Sequence, residues 1–69
     1  MRLSARNIIE GKILEVKRGA TTAHVKIDVG GGTVITSSIT NEAVDELGLK
    51  AGDPAYAVIK ASDVMVGRD

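Results

Sequence analysis

From Thr22 to Val29 the chain alternates strictly. Ala23, Val25, Ile27 and Val29 fall on one side, and Thr22, His24, Lys26 and Asp28 on the other. A period of two marks a half-buried strand. Gly30-Gly31-Gly32 follows, and because glycine takes positive φ without a steric penalty, a turn is expected there. Thr33 to Thr40 is rich in β-branched residues and reads as the return strand of a hairpin. Upstream, Ile8 to Lys17 predicts a first strand, in which Gly11 marks a bulge or a close backbone approach. The adjacent apolar pair Ile13 and Leu14 predicts burial on both faces for part of that strand. Lys17-Arg18-Gly19-Ala20 is the connecting turn.

After the hairpin the period changes. Thr40-Asn41 is an N-cap candidate, with Glu42 and Asp45 or Glu46 favourable in or near the first turn. Ala43, Val44 and Leu47 form a short apolar stripe, and Gly48 stands where a terminating glycine belongs. Leu49 to Pro54 is a turn, Ala55 to Lys60 a strand, and Val64 to Val66 a short last strand. The order of strand, hairpin, short helix, strand, strand predicts an all-β domain over residues 1–69. A small OB-type Greek-key β-barrel of about five strands, with one short helix between strands 3 and 4, fits that order.

Composition adds one requirement. A chain of 69 residues buries only about 60% of its unfolded surface in a lone core. Scaffolds of this size often add disulfides, a metal or oligomerisation. There is no Cys, one His and one aromatic residue, Tyr56. Disulfides and thiolate metal sites are excluded, a zinc site built on one His is improbable, and a homo-oligomer becomes the expectation. Nine basic and nine acidic residues leave a formal net charge of zero. Neither the basic footprint nor the aromatic platforms of nucleic-acid binders are present. No stretch approaches the ~20 apolar residues of a membrane span. The start carries no signal-like apolar region. With no Cys this fits the cytoplasm, and Met1 favours a complete chain.

No catalytic constellation stands out, and an enzyme is not expected. Nucleophilic catalysis needs a base beside the nucleophile, and His24 alternates with Lys26 and Asp28 on the outward face of its strand, as a solvated His would. Asp45-Glu46 reads as solvated charge on a short helix. The triple glycine lacks both the following helix and the Gly-Lys-Ser/Thr ending of a phosphate loop. Two segments remain. Ser4-Ala5-Arg6-Asn7 brings a hydroxyl, a fixed cation and an amide ahead of the first strand. Lys60-Ala61-Ser62 brings an ammonium, a hydroxyl and free backbone N–H groups to the end of the fourth. Such donors suit a compact anion. Composition alone favours the ordinary reading, in which Ser4 and Asn7 cap or turn the chain and Arg6 and Lys60 are surface charge.

The opening Met1-Arg2-Leu3-Ser4-Ala5-Arg6-Asn7 with Gly11 resembles the start of the molbindins, the Mop family of molybdate-binding proteins. The resemblance continues through Ile35–Thr40, through Glu46-Leu47-Gly48-Leu49-Lys50-Ala51-Gly52, and through Val58-Ile59-Lys60-Ala61-Ser62-Asp63-Val64-Met65. It implies a single Mop (TOBE-like) domain of OB type, assembled as a hexamer described as a trimer of dimers. Molybdate, and the nearly isosteric tungstate with it, would bind at subunit interfaces for intracellular storage or homeostasis. The metal enters as an oxyanion, so no side chain is expected to ligate a metal cation directly. At the matching positions, Ser4 and Arg6, with the backbone of Ala5 or Asn7 nearby, would contact the anion from one subunit. Thr40, Lys60 and Ser62 (or the backbone at Ala61) would complete the site from a neighbour. The resemblance also implies a second kind of site near the oligomer axis, for which the turn residues Gly19, Ala20, Thr21 and Thr22 are the expectation. The rival readings are a small β-barrel interaction module and a detached domain of a molybdate transporter or regulator.

Overall fold

The computed structural model covers residues 1–69. Four strands form one curled antiparallel sheet in the order β3-β2-β1-β4: β1 is Asn7–Arg18, β2 Thr22–Gly30, β3 Thr33–Thr40 and β4 Pro54–Ile59. Helix α1, Asn41–Leu47, lies between β3 and β4, and a single 3₁₀ turn, Ala61–Asp63, follows β4. The all-β class and the position of the helix are as expected from the periodicity.

The alternation along β2 does what it predicts. Ala23, Val25 and Ile27 are buried, while Thr22, His24 and Lys26 are exposed. With Ile13, Val44 and Ala57 they make a core of six buried residues. At the hairpin, Gly31 and Gly32 have φ of +61° and +83°, the positive pair that a type I′ connection demands. Helix α1 is held at both ends. The Thr40 hydroxyl accepts from the Ala43 N–H at 3.0 Å. Beyond it, Gly48 takes the left-handed conformation, and the N–H groups of Gly48 and Leu49 donate to the carbonyls of Asp45 and Val44. That is the Schellman closure, and it folds Leu49 back against the core.

The long strand β1 departs from its sequence pattern at one place. Leu14 is 48% exposed, so the strand is not buried on both faces there. The register shifts between Ile13↔Ile27 and Glu15↔Lys26, leaving Leu14 as the extra residue of a β-bulge. Ile13 turns its backbone elsewhere: its N–H donates to Asp53 at 2.9 Å, and its carbonyl accepts from Gly52 at 2.7 Å. The bulge thereby anchors the turn that leads into β4. Gly11 is a place of close approach. A Cβ there would sit 2.6 Å from the Asp28 carbonyl and 2.7 Å from Ile27 Cγ2.

The predicted fifth strand is corrected. Val64–Val66 forms no strand; it follows the 3₁₀ turn with Met65 93% and Val66 94% exposed. The reason is geometric. An extended segment needs an edge to pair with, and the 3₁₀ turn carries this one away from its own sheet. The sheet keeps two free edges, β3 and β4. Between them opens an apolar cleft of about 430 Å³ whose walls include Val25, Ile27, Ile39, Leu49, Tyr56 and Val58.

Gly11→Ala should destabilise the fold by about 1–3 kcal/mol, because the atom it meets is backbone and cannot swing aside. Urea unfolding would show this as a lower midpoint at constant slope. An unchanged midpoint would mean that β1 and β2 can separate freely at this point.

Candidate functional site

The two segments with anion-binding chemistry meet at one end of the sheet. β1 and β4 are antiparallel, and Asn7 pairs with Ile59. The Asn7 amide Nδ2 donates to the Ile59 carbonyl at 3.2 Å, tying the start of one strand to the end of the other. Arg6 and Lys60 are the next residues outward on each, so the segments Ser4-Ala5-Arg6 and Lys60-Ala61-Ser62 leave the sheet from the same end of the β1–β4 ladder. Lys60 caps the 3₁₀ turn through its backbone alone, without a side-chain hydrogen bond. The N–H groups that open such a turn have no partner inside it.

Arg6 and Lys60 are in no ion pair, although Asp63 stands in the 3₁₀ turn that Lys60 caps. The ion pairs of the chain are Arg18–Asp45 at 2.5 Å and Lys26–Glu15 at 4.0 Å, and neither involves Arg6 or Lys60. Ser4, Arg6, Lys60, Ala61 and Ser62 are exposed, while Ala5 and Asn7 are half-buried. The arrangement offers two fixed cations, two hydroxyls and free N–H groups on an open surface. Such a surface can attract an oxyanion. On its own it cannot strip the anion of water, because water still reaches every donor.

Thr40 does not join this group within one chain. It pairs with Thr22, at the end of β2 that meets Arg18, and β1 runs from there to Asn7. Its hydroxyl oxygen is engaged as the cap of α1, although its O–H remains free to donate.

Thr40 instead borders a second polar region, around the β1–β2 turn. The turn closes through the Gly19 N–H donating to the Thr22 carbonyl at 2.7 Å. Asn41 straps it to the helix: its backbone N–H donates to Thr21 at 2.9 Å and its side-chain Nδ2 to Gly19 at 3.0 Å. Beside the turn lies a pocket of about 280 Å³ lined by Lys17, Arg18, Gly19, Thr22 and His24, with no hydrophobic residue. Of the four turn residues expected here, Gly19 and Thr22 line the pocket. Ala20 and Thr21 do not, and the Thr21 carbonyl is taken by Asn41. Lys17, Arg18 and His24 were missed in the sequence. The signal was present: a tight turn centred on Ala20-Thr21 pairs Lys17 with His24, as the register has it. No group of three or more His, Asp or Glu residues is placed to hold a metal ion, and no helix is long and apolar enough to cross a membrane.

Comparison with known proteins adds four likenesses. The TOBE domain family matches residues 3–66. A probable molybdenum-pterin-binding protein of Haemophilus influenzae is 49% identical, over 97% of this chain and 97% of its own. Among solved structures, MopII from Clostridium pasteurianum superposes with a TM-score of 0.90 at 43% identity, covering 97% of this chain and 100% of that one. The cytoplasmic molybdate-binding protein ModG, in a form with molybdate bound, superposes with a TM-score of 0.89 at 55% identity, covering 94% of this chain and 46% of that one.

Proposed function

This chain belongs to the TOBE domain family, and from that premise we propose that it binds molybdate reversibly, as an oligomeric store or buffer of the oxyanion in the cytoplasm, without catalysis. The observation that carries the reading is that Arg6 and Lys60, in no ion pair, follow directly on the Asn7–Ile59 pair that ends the β1–β4 ladder, with Ser4 and Ser62 two residues beyond them in sequence. Molybdate is a tetrahedral dianion at neutral pH. Removing it from water demands several donors at once. Charge-assisted bonds are about twice as strong as neutral ones, and the hydroxyls and the N–H groups at Ala61 and Ser62 complete a tetrahedral set. Tungstate, nearly isosteric, should compete.

Two features support assembly as part of binding. The site is open in one chain, so a second copy is needed to exclude water, and Thr40 can reach Arg6 and Lys60 only from another copy. The fold also leaves apolar surface without cover, in the cleft between β3 and β4 and along Val64–Val66. We infer that the Val64–Val66 segment of one copy enters the cleft of another. Ile8, exposed and paired with Val58 across the β1–β4 ladder, extends the apolar rim of that cleft onto β1. A tail on one copy and a cleft on the next make a head-to-tail contact, which gives a ring where the rotation closes and supports the reading of a hexamer built as a trimer of dimers. The polar pocket at the β1–β2 turn is the second oxyanion site in this reading.

Arg6→Ala should weaken molybdate binding by about ten- to hundredfold, the loss of one charge-assisted contact. The fold should be unchanged, because Arg6 is exposed and makes no ion pair. Calorimetry with equal affinity for both proteins would remove Arg6 from the site. Saturating molybdate should raise the melting temperature well above the effect of equal sulfate; equal shifts would leave only nonspecific anion binding. Met65→Asp tests assembly separately. Met65 is 93% exposed in one chain, so the fold survives, while native mass spectrometry should show the oligomer reduced to monomer. An intact oligomer would exclude the tail from the interface.

A further inference from the structure

Resting on the reading of the β1–β2 pocket as an oxyanion site, we propose that His24 is an anion-binding residue of that pocket and that its protonation sets the pocket's affinity, so that the anion and a proton are taken up together.

The geometry isolates His24 from compensating charge. Across the ladder on β1 it faces Lys17, and the two line the same pocket with Arg18, Gly19 and Thr22. Glu15, the acidic residue of β1 on this face, pairs with Lys26 of β2. Asp28, farther along β2, accepts from the Gly30 N–H at 2.9 Å. On β3, His24 faces Ser38, with Thr36 and Thr40 beyond it, and none of these is charged. From α1, Asp45 is engaged by Arg18, and Glu42 and Glu46 are exposed on the helix. Lys17 is therefore the unopposed charge beside the imidazole. In the empty pocket an imidazolium would be repelled by that ammonium. A dianion between the two reverses the sign, since it then pairs with both. A neutral imidazole offers one N–H, whereas the imidazolium offers two and a full charge.

No other side chain of this protein normally changes charge between about pH 5 and pH 8, because the chain has one His and no Cys. The other anion site, built on Ser4, Arg6, Lys60 and Ser62, contains no group that titrates there. The two sites therefore respond differently to pH. The pocket fills more readily as pH falls, and the site at the strand ends does not follow.

The test uses the full chain and sodium molybdate, titrated by calorimetry near pH 6 and near pH 8 in two buffers of different ionisation enthalpy, with native mass spectrometry counting bound anions. Two classes of site are expected, one of which binds about tenfold more tightly near pH 6 and takes up protons from the buffer. In His24→Gln that class should bind equally at both pH values with no proton uptake. A single class in wild type at either pH would remove the second site itself. Two classes without pH dependence, or a dependence that survives in His24→Gln, would leave the site and overturn the role of His24.

Discussion

The sheet of this protein is not closed. Strands β3 and β4 are both edges, and the space between them is lined by apolar side chains. Six buried residues, none larger than isoleucine, make a thin core, and free β-edges are open to pairing with another chain. Everything else in the molecule follows from how this seam is managed. Within one chain α1 covers part of it, with Val44 buried and Leu49 folded back over the core. The remainder stays open to a second chain. On the proposed reading, a second copy that closes the seam also shields the exposed strand ends that carry Arg6 and Lys60. A ligand held only in the assembled state then stabilises the assembly by mass action.

Strand β1 divides the functional surface. It pairs with β4 over Asn7–Lys12 and with β2 over Lys12–Arg18, and the bulge at Leu14 lies just beyond the changeover. At about 3.3 Å per residue, its two ends are on the order of 30 Å apart. That is several Debye lengths at physiological salt, so dianions bound at the two ends of one chain do not repel each other appreciably. Any communication between them has to pass through assembly.

Much of the scaffold was legible because it rests on local rules. The alternation of Thr22–Val29, the glycine turn, the Thr40 cap and the Gly48 terminus each report a backbone requirement that a few neighbouring residues satisfy. Gly11 was read as a close approach, and the atoms it approaches are Asp28 O and Ile27 Cγ2. The meeting of Ser4–Asn7 and Lys60–Ser62 at one end of the sheet was half legible: both had anion chemistry, but only the β1–β4 register, which pairs Asn7 with Ile59, brings their starting points together. What escaped depends on long-range pairing. Leu14 looked like core because an apolar neighbour of Ile13 implies a second buried face. The bulge that expels it depends on Gly52 and Asp53, which are remote in sequence. Val64–Val66 has strand composition, yet the 3₁₀ turn before it carries it away from the free edges of its own sheet. His24 was read correctly as outward-facing, but only the hairpin register shows that it faces Lys17.

The same constraint bears on discrimination among anions. Sulfate and molybdate carry the same charge and have the same tetrahedral symmetry, so cations such as Arg6 and Lys60 attract both. Size is what separates them, and size can be read only by walls that do not yield. The exposed surface beside Asn7 and Ile59 has no such walls in one chain, since Arg6, Lys60 and Ser62 all face solvent. Donors on flexible side chains would close around either anion. Two sheets brought together fix the spacing between the strand ends of one copy and the facing backbone of the next, and that spacing is set by packed interiors with little freedom to contract. A smaller anion would then leave donors unpaired in a place without water, a penalty of about 1–3 kcal/mol for each one left. Selectivity on this argument is a property of the proposed assembly, and the open seam of the single chain is the feature that favours it.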